Sequence, residues 1–206
     1  MKTIKASYEI LTPIDRQDVL KCLEIAGRTC YKSEDKISAE SASKFVKKLV
    51  ELGHEAMIEH YNMTIRFICD RGISHEIVRH RIASYGQEST RYCNYSKNKF
   101  GNEITVIEPC FWEKGTASYT IWEETCQKAE TAYFSLLKGG ATPQEARAVL
   151  PTSLKTELIT TMNMRAWRNF FKLRTADDVH PQMLELTRPL LAQLQEILPE
   201  LFGDIR

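Results

Sequence analysis

A chain of 206 residues carrying a net charge of +1 is long enough for one domain and too evenly charged to draw nucleic acid or membrane through its overall field. Hydrophobic residues make up 43% and charged residues 27%, which suits a globular protein with a sizeable core. No stretch approaches the roughly 18 apolar residues that span a bilayer, and Met1-Lys2-Thr3-Ile4-Lys5 lacks a signal-peptide core, so a cytoplasmic protein with no membrane partner is expected.

Lys2 to Ile10 alternates, placing Ile4, Ala6, Tyr8 and Ile10 on one face, and predicts a strand. Asp15 can cap a helix to about Thr29 with Val19, Leu20, Leu23 and Ala26 inward. Ser38 can cap a second helix carrying Ala42, Phe45, Val46, Leu49 and Val50 at helical spacing. Met63, Ile65 and Phe67 alternate with polar residues as in a strand, and Gly72 to Arg79 suits a short helix. Ser84 to Gly101 is polar and aromatic without periodicity, a long loop of the kind that carries function.

Beyond it, Ile104 to Ile107 suits a brief strand and Ala117 to Lys138 a long helix stopped by Gly139-Gly140. Thr142 and Pro143 have the chemistry of a helix start. Lys155 to Met162 predicts a strand, followed by helices over Arg165 to Leu173 and Pro181 to Leu201. Helices and strands mix without regular βαβ alternation, so the expectation is a single α+β domain over residues 1–206. The six cysteines, at 22, 30, 69, 93, 110 and 126, show no C-x-x-C spacing and read as reduced thiols, with neither a disulfide framework nor a metal site.

Chemistry concentrates in Arg79-His80-Arg81-Ile82-Ala83-Ser84-Tyr85-Gly86-Gln87-Glu88-Ser89-Thr90-Arg91-Tyr92. Guanidinium groups make paired hydrogen bonds to phosphate oxygens, so the three arginines suit a phosphorylated ligand. The hydroxyls of Ser89 and Thr90 can bind a phosphate or a base edge, and the Gln87 amide can donate and accept. Charge alone equally allows a solvated helix end followed by a polar loop.

Two histidine pairs invite a metalloprotease reading and fail it. No histidine lies four residues after His54, and the five-residue step from His75 to His80 turns the rings about 140° apart on a helix.

The Arg79-His80-Arg81 tripeptide, seven intervening residues and Ser89 resemble the signature of the flavin-dependent thymidylate synthases, as do the flanking His75-Glu76-Ile77-Val78 and Arg91-Tyr92. Further blocks in the same order resemble that family: His54-Glu55-Ala56-Met57-Ile58-Glu59-His60, Ala146-Arg147 with Leu150-Pro151, Asn163-Met164-Arg165-Ala166-Trp167-Arg168-Asn169, and Leu173-Arg174 with His180-Pro181-Gln182. The likeness runs from about Arg28 to Gln182. It departs where Gly86-Gln87 replaces the Asn-Glu of many members, where Cys30 replaces a serine, and where Ala56 replaces a small hydroxyl residue.

The resemblance implies a central, mainly antiparallel sheet flanked by helices, and conversion of dUMP to dTMP. The methylene would come from methylenetetrahydrofolate, the hydride from FAD, and the electrons for FAD from NADPH. It implies dUMP contacts from Glu76, Arg79, Gln87, Glu88, Ser89, Arg91, Arg147 and Arg174, with Arg174 polarising the pyrimidine as the catalytic residue. It implies FAD contacts from Glu59, Arg79, His80, Arg81, Gln87, Asn163, Arg165 and Asn169. Ser89 has no evident general base beside it and reads as a binding residue rather than a nucleophile. The family also implies a homotetramer with active sites shared between subunits. The alternative reading is a phosphate- or nucleic-acid-binding module in which the arginines act with Tyr85, Tyr92 and Tyr95; the near-zero net charge and the lack of a known binding motif weigh against nucleic acid as a partner.

Overall fold

A computed structural model describes residues 1–206. Its elements are β1 (Lys2–Ile4), β2 (Ser7–Ile10), α1 (Arg16–Tyr31), α2 (Ser41–Glu51), β3 (Asn62–Asp70), α3 (Arg71–Ile77), β4 (Ala83–Gln87), β5 (Thr105–Ile107), α4 (Ala117–Lys138), α5 (Pro143–Ala146), β6 (Lys155–Asn163), α6 (Met164–Arg174), α7 (Pro181–Ile197) and α8 (Pro199–Phe202). A four-stranded antiparallel sheet runs in the order β2-β3-β6-β4, and β1 pairs in parallel with β5 in a separate two-stranded sheet. The fold is therefore α+β, as the intermixed elements predict. No helix is long and apolar enough to cross a membrane.

The chain divides into two compact units. The first gathers Met1–Ser7, Phe67–Arg79 and Gly86–Ile159; the second gathers Tyr8–Arg66, His80–Tyr85 and Thr160–Arg206. In the first unit, α4 starts where Thr116 accepts from the Tyr119 N–H, and α5 starts on a reciprocal Thr142–Glu145 capping box. These helices pack over a core that includes Tyr95, Ile104, Val106, Cys126, Tyr133, Ala146 and Leu154. The Met1 amino group is anchored by Glu103 and Glu130 at 3.3 and 3.0 Å.

In the second unit, Asp15 caps α1 by accepting from the backbone N–H groups of Gln17 and Asp18 at 2.8 and 3.0 Å. The inward face of α1 packs against α2 through the buried Val19, Leu20 and Leu23 on one side and Val46 and Leu49 on the other. Trp167, Phe170 and Phe171 of α6 are fully buried, with the Trp167 indole N–H donating to the Met63 carbonyl at 2.9 Å. The Phe171 ring meets Phe202 of α8 edge-on at 5.8 Å.

Four expectations are corrected. The single strand over Lys2 to Ile10 is two strands that belong to different sheets, because residues 2–4 take β5 as partner while Ser7 onward joins β3. The aperiodic loop from Ser84 begins instead as a strand, β4, at the edge of the four-stranded sheet; exposure alternates along it, but its inward positions are Ala83, Tyr85 and Gln87 rather than large aliphatics. Ser38 does not cap α2: Glu40 holds that position, and the Ser41 hydroxyl instead engages the backbone N–H and carbonyl of Ser38. The last helix breaks at Leu198, since Pro199 supplies no N–H and disfavours helical geometry in the residue before it.

Candidate functional site

Within the first unit, Asp70 caps α3 by accepting from Ile73 N at 2.7 Å, and this sets the helix that carries Arg71, Ser74 and Glu76. Ser74 donates its hydroxyl proton to the Arg71 carbonyl at 2.9 Å, so its oxygen is left to accept. Gln87 Nε2 lies 2.8 Å from that oxygen and 3.3 Å from the Thr156 hydroxyl, which orients the Gln87 amide with its nitrogen toward the protein. Ser74 and Thr156 are fully buried, so this orientation is held away from competing water.

Arg71 donates from Nη1 to the Glu88 carbonyl at 3.2 Å, and the Glu88 N–H donates to Glu157 O at 2.9 Å. The Glu88 carboxylate is already engaged: Lys155 Nζ lies 3.0 Å away and the Tyr95 hydroxyl 3.4 Å. Burial works against the Lys155 ammonium, but hydrogen bonding to Glu157 and the charge of Glu88 outweigh it and raise its pKa. Arg147 donates to the buried Thr90 hydroxyl at 3.3 Å, and Ser89 Oγ accepts from Arg91 N at 3.3 Å. The Arg91 guanidinium lies 5.5 Å from the Tyr92 ring. Arg79, Arg91 and Arg147 all reach solvent, while Glu76 is half-buried. Thus Gln87, Glu88, Ser89, Arg91 and Arg147 fall on or around one strand end and its following turn, with Glu76 and Arg79 on and just after α3.

Within the second unit, His80 is wedged between Arg174 and Phe170. Arg174 Nε donates to His80 Nε2 at 2.9 Å, and the Phe170 ring meets the imidazole edge-on at 4.9 Å. Because Nε2 accepts, the ring proton sits on Nδ1. Burial first, then the neighbouring Arg174 charge, push the His80 pKa down to about 4, so the imidazole is neutral at physiological pH. Tyr85 fixes the same residue from its backbone side, donating to the His80 carbonyl at 2.7 Å. Two residues on, Ile82 adopts a φ of 62° with its side chain exposed. A β-branched residue in the left-handed region is strained, and such strain clusters where a backbone must present itself to a ligand.

Asn163 caps α6, its Oδ1 accepting from Ala166 N at 2.8 Å. Arg165 is exposed but paired, with Glu59 at 2.7 Å and Glu55 at 3.6 Å. Asn169 follows Arg165 by one turn and shares its exposed face. Arg81 is exposed. The structure therefore brings together His80 with Arg174, and Glu59 with Arg165, while Asn163 has a structural duty of its own.

Several supporting residues carry no sequence signal of their role: Arg71, Ser74, Thr156, Lys155 and Tyr95 in the first unit, and Phe170 and Tyr85 in the second. Only the Gly72 to Arg79 helix and the tyrosine-rich segment around Tyr85 and Tyr95 hinted at their neighbourhood. The cysteines form no disulfide, and burial followed by the adjacent Asp70 charge pushes the Cys69 thiol up to about 12, which removes it as a nucleophile.

Residues 14–200 match the family model described as thymidylate synthase complementing protein. A protein of Geobacter sulfurreducens named flavin-dependent thymidylate synthase is 32% identical over 192 residues, covering 87% of this chain and 79% of the relative. One of the same name from Corynebacterium glutamicum is 30% identical over 98% of this chain and 85% of its own length. Another, from Pyrococcus furiosus, is 30% identical over 82% of this chain and 68% of its own length.

Proposed function

The chain belongs to the flavin-dependent thymidylate synthase family, and on that premise we propose that it converts dUMP to dTMP as a single catalytic domain, with FAD as its flavin. When bound, FAD supplies the hydride, NADPH its electrons, and methylenetetrahydrofolate the methylene. The observation that carries this reading is the contact between the neutral His80 and Arg174, which joins the first signature block to the last.

The chemistry of the donor set fits these ligands. Arg79, Arg91 and Arg147 offer exposed guanidinium groups to the nucleotide phosphate, and Ser89 adds a hydroxyl. With its nitrogen committed to Ser74 and Thr156, Gln87 keeps its carbonyl oxygen as an acceptor for the imide N–H that uracil and flavin rings share. Glu76 and Glu88 complete the nucleotide set, Glu88 chiefly by holding Lys155 and Tyr95 in place.

Arg174 is the catalytic residue in this proposal. A permanent cation beside the pyrimidine stabilises negative charge as N3 loses its proton. Neutral His80 accepts from Arg174 Nε and so positions the guanidinium without competing for its charge. For FAD, Arg81, Arg165 and Asn169 supply donors to phosphate and adenine. Asn163 and Glu59 fix the α6 start and the Arg165 side chain that would hold it. A homotetramer in the cytoplasm, with active sites shared between subunits, completes the proposal.

Two measurements test it. The purified protein is expected to be yellow, or to become yellow with FAD, and to bleach with NADPH. The wild-type gene is expected to rescue a thymidine-requiring strain, whereas Arg174→Ala is not. Protein that takes up no flavin and gives no rescue would overturn the assignment.

A further inference from the structure

The turn that carries Ser89 and Arg91 buries little of itself. Between Glu88 and Tyr95 only Thr90 is buried, and the Tyr92 and Cys93 N–H groups donate to the Ser89 carbonyl at 3.2 and 2.9 Å. A polar segment of this kind has no large apolar side chain to anchor it, so its shape depends on how its two ends are fixed.

Both ends meet at one carboxylate. The Tyr95 hydroxyl donates to Glu88 Oε1 at 3.4 Å, and the Lys155 ammonium donates to Glu88 Oε2 at 3.0 Å. Successive side chains of neighbouring strands face opposite sides, so Gln87 meets Thr156 while Glu88 meets Lys155. The Glu88 main chain is fixed as well: its N–H donates to the Glu157 carbonyl at 2.9 Å, and its own carbonyl accepts from Arg71 at 3.2 Å. Each polar atom of Glu88 thus has a protein partner.

The two groups that hold the carboxylate come from firm surroundings. Tyr95 is buried, the Phe100 and Tyr133 rings lie 5.3 and 5.8 Å from its own, and its N–H donates to the Tyr133 hydroxyl at 3.4 Å. Burial, then the Glu88 charge, pushes the Tyr95 phenol above its ordinary range, so it stays a donor. Lys155 stands on β6, and its ammonium also reaches Glu157 at 2.6 Å. A cavity of about 280 Å³ opens beside these side chains, with Lys2, Lys99 and Phe100 also lining it. Water therefore reaches the contact, and solvent replaces a lost partner instead of leaving a stranded buried charge.

We propose that Glu88, Lys155 and Tyr95 are positioning residues for the phosphate grip. They clamp the two ends of the turn so that Ser89 and Arg91 face the nucleotide together, and they act through that turn rather than on the ligand. The inference rests on the dUMP reading given above. It requires a loss confined to the nucleotide, because Ser89 and Arg91 are assigned to dUMP and not to FAD.

The test is calorimetric titration of full-length protein, with dUMP into the FAD-loaded form and FAD into the flavin-free form. Tyr95→Phe and Lys155→Met are each expected to weaken dUMP binding by about three- to tenfold. Lys155→Met loses more, because its bond is charge-assisted. FAD affinity is expected to stay within twofold of wild type in both. In turnover the change appears as a raised KM for dUMP, with kcat retained at saturation. Lys155→Arg, which keeps the charge, is expected to recover most of the lost affinity. Tyr95→Phe removes a single oxygen from an intact ring and carries the test alone should Lys155→Met fail to fold.

If Tyr95 acts through Glu88, then Glu88→Ala/Tyr95→Phe binds dUMP no more weakly than Glu88→Ala alone. Unchanged dUMP affinity in Tyr95→Phe, equal losses of dUMP and FAD affinity, or additive losses in the double variant would each overturn the clamp while leaving the functional reading intact. Wild-type protein that binds no dUMP overturns that reading, and this inference with it.

Discussion

His80 predicts a specific acid sensitivity. An unfolded histidine takes its proton near pH 6.5, whereas in the folded chain burial and then Arg174 push that event down to about pH 4. Above about 6.5 the residue is neutral in both states and its contribution is fully present. As pH falls below 6.5 the unfolded chain gains a proton that the folded chain refuses, so stability drops until about pH 4 and then levels. At roughly 1.4 kcal/mol per pH unit, a window from 6.5 to about 4 gives a ceiling of about 3.5 kcal/mol. His80 is only half-buried, and solvent screening reduces the expected loss to about 1–2 kcal/mol.

Urea unfolding at pH 7.0, 5.5 and 4.5 measures this loss, with His80→Asn as the reference that cannot titrate but can still accept from Arg174. The wild-type curve is expected to fall more steeply than the variant by about 1–2 kcal/mol. Imidazole resonances, of which the chain has only five, provide the microscopic check. His80 should remain neutral, with its proton on Nδ1, at pH 5.5. Arg174→Gln should move its midpoint upward but leave it below 6.5, because burial is the larger cause. A His80 midpoint near 6.5 in wild type, or identical slopes in wild type and His80→Asn, would refute the reasoning.

Arg174→Ala is expected to lower kcat by ~10²–10³-fold at saturating dUMP, with a smaller change in KM, in steady-state turnover. A loss confined to KM would make Arg174 a binding residue only. Ile82→Gly removes a strained side chain at a φ of 62°, so thermal unfolding should show unchanged or slightly raised stability, by up to about 1 kcal/mol, and a clear loss would mean the Ile82 side chain makes a stabilising contact. Gly27→Ala pushes a Cβ into the Phe45 ring and should cost about 1–3 kcal/mol in urea unfolding. If it is neutral, Phe45 is not held against α1 as described.

Elements whose interior faces are large and aliphatic were legible in the sequence. The alternating Met63, Ile65 and Phe67 of β3 and the inward Val19, Leu20 and Leu23 of α1 are all buried as their spacing predicts. The failures share a cause. β4 turns Ala83, Tyr85 and Gln87 inward, and a half-buried amide gives no hydrophobic period to read. The segment from Lys2 to Ile10 alternates throughout, yet its two halves take different distant partners, β5 and β3, and so divide between two sheets. Partner choice is a tertiary fact, and local alternation cannot encode it. Only the break at Leu198 carried a local signal, in Pro199, outweighed by the continuous helical periodicity around it.

At the site, the residues that reach out were readable from type and order, whereas those that orient them were not. Gln87 shows why. Its sequence suggests a group that can donate and accept, and nothing in the chain near it chooses between the two roles. The choice is made by Ser74, thirteen residues earlier, whose hydroxyl proton is already given to the Arg71 carbonyl. A hydroxyl that has donated can only accept, so Gln87 must offer its nitrogen inward and keep its oxygen for a ligand. The same logic holds at His80, where donation from Arg174 selects the tautomer and burial selects the charge. Both residues owe their chemistry to protons spent elsewhere. Ser74→Ala therefore removes the constraint on Gln87 without touching any proposed ligand contact, and it should weaken discrimination for an imide N–H more than it weakens phosphate binding. Equal losses of dUMP and inorganic phosphate affinity in that variant would mean that Ser74 supports the strand rather than the amide.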